Sequence, residues 1–161
     1  CQIKRAQRAL SRKKKGSSNW RKQKIKLALK HERVANCRAD FLHKLSTRVI
    51  RENQLIAVES LKVANMQKNH HLAGSIADAS WAQFLHMLEY KARWYGRTLV
   101  KVEPYYASSQ ICSVCGEKNP KVKDLSIREW VCSCCNSKHD RDHNASRNIL
   151  MEAKRMLAKW G

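Results

Sequence analysis

The chain has 161 residues, with 33 Lys+Arg against 13 Asp+Glu, so its formal charge is +20 before any histidine is protonated. So cationic a chain needs an anionic partner, and its length allows one domain with an appendage rather than two full domains. No apolar run approaches the ~18 residues of a membrane span, and the basic start lacks the apolar stretch of a signal peptide, which leads us to expect a soluble, intracellular protein with no membrane partner.

The seven cysteines, in a reducing compartment, favour metal ligation over disulfides, and an odd number cannot all pair internally. The chain opens on Cys1 with a helical pattern already under way. We therefore expect the C-terminal piece of something longer.

Residues 1–53 hold 17 Lys+Arg and 3 acids, a net of +14. This stretch predicts a basic helical hairpin: a first helix over residues 2–15, a break at Gly16-Ser17-Ser18, and a long second helix to about Glu52. Gly16 supplies the stop and Ser17 or Ser18 the N-cap. Trp20, Leu27, Val34 and Phe41 recur every seven residues and continue through Leu45 and Val49, one apolar stripe on a cationic rod that needs a partner surface. Many Lys/Arg on a helix are usually a solvated face, but here almost no acids accompany them. Lys13, Lys14, Lys15, Lys22, Lys26 and Arg33 are therefore candidate contacts to nucleic acid phosphates.

Leu55-Ile56-Ala57-Val58 is a continuous apolar run of the kind buried on both faces of a sheet, with Glu59 where the strand emerges. Such strand ends place ligands and chemistry in open α/β sheets, although plain solvation is the commoner fate of one Glu there. Residues 62–74, with Asn65, Asn69, His70 and His71, read as a loop, and neighbouring histidines rarely converge on one metal. From about Ala77, the positions Trp81, Leu85, Leu88, Ala92 and Tyr95 form an amphipathic helix stopped by Gly96. A second strand follows over Thr98 to Glu103, ended by Pro104. Strand, helix, strand is a crossover unit that favours parallel pairing.

Cys112-Ser-Val-Cys115, sixteen intervening residues, and Cys132-Ser-Cys-Cys135 have the spacing of a four-cysteine zinc site. Four thiolates close the tetrahedron of Zn²⁺, which makes the ion structural rather than catalytic. The loop over residues 117–130 is too short to bury a core of its own, so the ion is expected to order it. Cys135 gives the usual two-residue gap and is preferred to Cys134; Cys1 and Cys37 are most simply free thiols; an iron-sulfur cluster is the minor alternative. After the last knuckle, His139-Asp140-Arg141-Asp142-His143-Asn144-Ala145 leads into a helix with Ala145, Ile149, Ala153, Met156 and Trp160 on one face. Asp140 reads as an N-cap.

The order Val-Glu-Ser-Leu after a strand, Cys-Ser-Val-Cys-Gly, Trp-Val-Cys-x-x-Cys and His-Asp-Arg-Asp-x-Asn-Ala-x-x-Asn-Ile-Leu resembles the C-terminal part of the TnpB (OrfB) transposon-encoded proteins, relatives of the type V CRISPR effector nucleases. The likeness covers nearly the whole chain, including the basic hairpin and the stretch Ser75-Ile-Ala-Asp-Ala-Ser-Trp81. It implies an α/β fold: a partial RNase H-like (RuvC-like) domain with a basic helical hairpin and an inserted four-cysteine zinc ribbon. The corresponding division is 1–53 hairpin, 54–107 RuvC-like strand-helix-strand, 108–138 zinc ribbon, and 139–161 RuvC-like C-terminal motif and helix.

In intact members the resemblance implies an RNA-guided DNA endonuclease that gathers three carboxylates around Mg²⁺ or Mn²⁺. Carried onto this sequence, the catalytic residues are Glu59 and Asp142, with structural Zn²⁺ on Cys112, Cys115, Cys132 and Cys135. DNA and a guide RNA are the implied partners, in a prokaryotic cytoplasm and at the nucleoid when DNA is bound. The family's first catalytic Asp lies upstream of the basic hairpin, so a truncated protein inactive by itself, or dependent on a missing N-terminal part, is expected. Asn-Ala-Ser stands where the family commonly shows Asn-Ala-Ala, a minor change. The competing reading is a noncatalytic zinc-ribbon nucleic-acid-binding module; a ribosomal-type basic protein would leave Glu59 and Asp142 without purpose.

Overall fold

The computed structural model describes residues 2–61, 68 and 80–159. The chain falls into two units, residues 1–48 and 49–161. Among the described residues, no helix is long and apolar enough to cross a membrane.

In the first unit, α1 (Gln2–Ser11) lies antiparallel to the start of α2 (Ser18–Glu52). Gln23 Nε2 donates to Ala6 O at 3.2 Å and Lys30 Nζ to Gln2 Oε1 at 3.1 Å, and the small side chain of the buried Ala6 lets the helices close. Gly16 takes φ +85°, and the Ser17 hydroxyl accepts the Trp20 N–H at 3.2 Å, which makes Ser17 the N-cap.

The first helix is shorter than expected. It ends at Ser11, whose hydroxyl bonds the Arg8 carbonyl, and Lys13 N–H closes onto Leu10 O, so Lys13, Lys14 and Lys15 lie in the turn and not in the helix. Another helical turn would set Arg12 and Lys15 as like charges three residues apart. The short α1, with its first residue already opposite Lys30, cannot reach the later part of the apolar stripe. Val34 and Phe41 are accordingly 44% and 61% exposed.

The second unit begins with the last turn of α2. Strands β1 (Leu55–Glu59) and β2 (Thr98–Val102) pair in parallel, in register from Leu55↔Thr98 to Glu59↔Val102. Helix α3 (Trp81–Trp94) lies between them in sequence. Two further short strands, β3 (Glu129–Val131) and β4 (Lys138–Asp140), form an antiparallel hairpin, and β4 runs directly into α4 (Arg141–Ala158).

Both faces of the β1/β2 pair are covered, which is why β1 reads as an unbroken apolar run. On one face Ile56 packs with Ile50, Leu88 and Ala92, joined by Val49, Val58, Phe84 and Leu99. On the other, Val100, Val102 and Ala153 are buried together, with Leu55, Ala57, Tyr106, Ile149 and Met156 around them. The expected α3 stripe is correct at Leu88 and Ala92, but Trp81 and Tyr95 are 40% and 41% exposed and Met87 is buried instead.

Gly96, at φ +60°, ends the helical path, and Arg97 N–H returns to Ala92 O. The Arg97 guanidinium then donates to Ile50 O and Gln54 Oε1, tying the end of α2 to the start of β2. The loop expected over residues 62–74, apart from Lys68, and the helix start near Ala77 lie outside the described residues, as does Trp160.

Ile50 is fully buried in the contact between the end of α2 and β1. Ile50→Ala is expected to destabilise the second unit by ~3 kcal/mol, within the ~2–5 range for truncating a core aliphatic side chain, measured as a shift in urea midpoint at unchanged m-value.

Candidate metal centre and carboxylate site

Each C-x₂-C segment builds the same knuckle. Cys112 O accepts the Gly116 N–H at 2.9 Å, and Cys112 N–H donates to Glu117 O at 2.8 Å. At the second segment, Cys132 O accepts the Asn136 N–H at 3.0 Å, and Cys132 N–H donates to Ser137 O at 2.9 Å. The turn needs a left-handed residue, supplied by Gly116 at φ +81° and by Asn136 at +57°.

Facing each other, the knuckles bring the sulfurs of Cys112, Cys115, Cys132 and Cys135 within 4.8 Å of one another. Cys112 and Cys135 are 3.7 Å apart and Cys115 and Cys132 3.6 Å. A tetrahedron with Zn–S bonds of ~2.3 Å has edges of about 3.8 Å, so the four thiols fit a single tetrahedral ion. Cys134 is exposed and outside the group.

Two of the thiols are shifted in opposite directions. At Cys115 the Glu117 N–H favours the thiolate, but desolvation and the three neighbouring sulfurs outweigh it and push the thiol up. Cys135 goes the other way, to about 6, because the Ser137 hydroxyl and N–H bond its sulfur. A metal removes the conflict between adjacent negative sulfurs.

Residues 117–130, expected to depend on the ion alone, bring a small core of their own. Val122, from the 3₁₀ turn Pro120–Lys123, and Trp130 are buried with Cys112 and Cys132, and Ile127 packs beside them. Trp130 lies against His139 with ring centroids 4.7 Å apart and the planes tilted by 36°, and His139 Nε2 lies 3.1 Å from Cys112 Sγ. Burial, with Arg147 adding to it, lowers the pKa of His139.

Glu59 is the last residue of β1 and half-buried. Strand alternation puts it on the face of Leu55 and Ala57, the face covered by α4. Asp142 stands in the first turn of α4, while Asp140 is the N-cap, its carboxylate accepting the His143 N–H at 2.8 Å.

Helix α4 runs antiparallel to the strands. Met156 and Leu157, near its end, share a cavity wall with Thr98 to Lys101. Beyond β2 the chain passes back along the helix: Tyr106 lies near Glu152, and Asn148 bonds Ser108 O and Ile111 O. The first turn of α4 therefore points toward the carboxyl ends of β1 and β2, the end occupied by Glu59.

Asp142 is 81% exposed at its side chain, and Arg128 Nη1 lies 3.6 Å from its Oδ2. Both groups are so well solvated that the pair contributes little to stability. Among the described residues, the group of three or more His, Cys, Asp or Glu side chains close enough to hold a metal is the four cysteines, and Glu59 and Asp142 belong to no such group.

Of the candidate phosphate contacts, Lys14, Lys15, Lys22, Lys26 and Arg33 are exposed and Lys13 is half-buried. At 3.6 residues per turn, Lys22, Lys26 and Arg33 lie within about 40° of one another on α2. Gln23 and Lys30, which meet α1, lie to one side of that stripe.

Two side chains had no role in the expectations from sequence. Asn144 and Asn148 are 1% and 3% exposed, and their amides bond the main chain beside Cys112. Their signal was present: two asparagines four residues apart inside a helix, where Asn is a poor helix former, face one side and need acceptors.

Two family models match the chain: OrfB_IS605, described as "Probable transposase", over residues 2–70, and the Cas12f1-like TNB domain over residues 81–149. A Streptomyces pristinaespiralis protein, named among the RNA-guided DNA endonucleases, is 51% identical over 91% of this chain and 36% of its own length. InsQ of Escherichia coli, carrying the same kind of name, is 37% identical over 96% of this chain and 42% of its own length. The chain thus spans less than half the length of these relatives. Among solved structures, Cas12f1 in complex with its guide RNA and target DNA superposes with a TM-score of 0.63 at 19% identity, covering 92% of this chain and 39% of that one. A Cas12f ternary complex gives 0.61 at 22%, covering 92% and 31%. At these identities the likeness shows a shared fold.

Cys112→Ser is expected to remove the bound metal, measured as loss of one metal equivalent per chain by elemental analysis, and to collapse amide protection over residues 111–140. Cys134→Ser should leave both unchanged.

Proposed function

Because this chain is a TnpB (OrfB)-type relative of the type V effectors, we propose that it is the nuclease-bearing segment of an RNA-guided DNA endonuclease, with an RNase H-like (RuvC-like) centre built on Glu59 and Asp142. The observation that carries this reading is that α4, whose first turn holds Asp142, covers the face of β1 on which Glu59 lies. Sequence neighbours named for RNA-guided DNA cleavage and structural neighbours solved with guide RNA and target DNA support the same partners here.

Mg²⁺ or Mn²⁺ held by such carboxylates supplies the Lewis acidity and the activated water of phosphodiester hydrolysis. Glu59 and Asp142 offer hard oxygen ligands, the kind these ions prefer, whereas the four thiols suit Zn²⁺. The ribbon is thus structural, and the carboxylates are the reactive end. Two carboxylates do not complete a three-carboxylate centre, and cleavage is proposed to require the third from elsewhere in the full protein. On the cationic side, Lys13, Lys14 and Lys15 in the turn, with Lys22, Lys26 and Arg33 on α2, hold phosphates of the nucleic acid backbone and contribute affinity without reading sequence.

A noncatalytic nucleic-acid-binding module is the second reading. It is favoured by the exposure of Asp142 and its pairing with Arg128. Cleavage by the full protein separates the two. Glu59→Gln or Asp142→Asn should each abolish product in a gel assay while DNA affinity stays within twofold; a mutant that cuts at the parent rate leaves the binding module.

The phosphate-binding role is checked on the chain itself by fluorescence anisotropy with a single-stranded oligonucleotide. Reversing Lys22, Lys26 and Arg33 to Glu should weaken binding regardless of sequence and flatten the dependence of log K on log salt by about 0.7 for each phosphate no longer neutralised. An affinity that barely changes between ~50 and ~200 mM salt would refute the phosphate role.

A further inference from the structure

We infer that Asn144 and Asn148 are positioning residues that couple the four-cysteine site to the carboxylate of Asp142. The inference rests on the reading of Asp142 as a ligand of the hydrolytic metal.

Both amides are buried, and a buried amide is costly unless its hydrogen bonds are made. Asn144 is bonded on both sides: its Oδ1 accepts the Ser113 N–H at 2.9 Å and its Nδ2 donates to Ile111 O at 2.7 Å. Asn148 Nδ2 donates to Ser108 O at 2.8 Å and to Ile111 O at 2.6 Å. Ile111 and Ser113 flank Cys112, so the first knuckle is clasped to the first two turns of α4.

A second tie reaches the same turn from the other side. Cys112 Sγ lies 3.1 Å from His139 Nε2, and Asp140, the next residue, is the N-cap that holds the His143 N–H. Asp142 therefore stands between two anchors, two residues after Asp140 and two before Asn144, and both anchors begin at Cys112 or its immediate neighbours. The solvated Arg128 contact holds the Asp142 side chain only weakly, while the backbone just before it is tied to the ribbon hairpin by the Arg141 N–H donating to Arg128 O at 2.8 Å. An ion that locks the sulfurs locks the main chain of residues 111–113, and through the asparagines it holds the backbone of Asp142 in one place.

The test uses the zinc-loaded chain and Mn²⁺ as the probe, read as paramagnetic broadening of the Glu59 and Asp142 amide resonances. Asn144→Ala should keep one zinc per chain and leave amide exchange in β1 and β2 unchanged. It should raise the Mn²⁺ midpoint at Asp142 several-fold. Asn148→Ala, one turn further from Asp142, should raise it less, and it decides the matter if Asn144→Ala does not fold. A merely structural role would lower protection or zinc content without moving the midpoint; that result, or a midpoint unchanged in both variants, overturns the coupling while the carboxylate reading stands. If the parent chain shows no broadening at either Glu59 or Asp142, the coupling is overturned, because no ion then sits at Asp142 to be positioned; the carboxylate reading itself is decided by cleavage in the full protein, where the third carboxylate is present.

Discussion

Four thiols held within 4.8 Å of one another are the constraint on which the second unit turns. Sulfurs so close resist joint ionisation, and a cation turns their repulsion into a crosslink between two knuckles that are twenty residues apart in sequence. The crosslink also organises what surrounds it. Val122 and Trp130 pack against Cys112 and Cys132, His139 lies against Trp130, and the buried amides of α4 reach the main chain on either side of Cys112. The ribbon and α4 are thus joined by hydrogen bonds as well as by chain continuity.

The β1/β2 pair depends on a different force. A parallel two-stranded ladder has little stability alone, and its apolar residues are buried only because helices lie on both faces. Alternation along β1 sends Ile56 and Val58 toward α3 and the end of α2, and Leu55, Ala57 and Glu59 toward α4. Glu59 is half-buried because it ends this alternation at the strand's last position, where packing gives way to the open end of the ladder. The first unit follows electrostatics more than burial. α2 carries exposed Val34 and Phe41 beyond the reach of a ten-residue α1, and exposed Ile25 and Leu29 on a face turned away from it, beside a dense row of cations.

Periodicity and punctuation made the main elements legible in advance: the helix to Glu52, the Ser17 cap, the parallel crossover and the four-cysteine group all follow from local chemistry. The early end of α1 was not legible, because its residues form helix readily and only a serine back-bond with a run of like charges stops it at Ser11. The exposure of Trp81 and Tyr95 was equally hidden, since a helical stripe tells which residues share a face but not how far the neighbouring layer extends over it.

The sequence by itself determined the charge of the hairpin, the knuckles and the identity of the candidate ligands, because net charge, turn preference and ligand spacing are set within a few residues. Only the tertiary structure decided that Asn144 and Asn148 spend their amides on the main chain beside Cys112, and that α4 lies antiparallel along the face of β1 that ends in Glu59. These contacts join residues 31 to more than 90 positions apart. Their geometry follows from which apolar faces must be buried together and which buried polar groups must find partners, conditions that the folded chain satisfies jointly and that no short segment expresses alone.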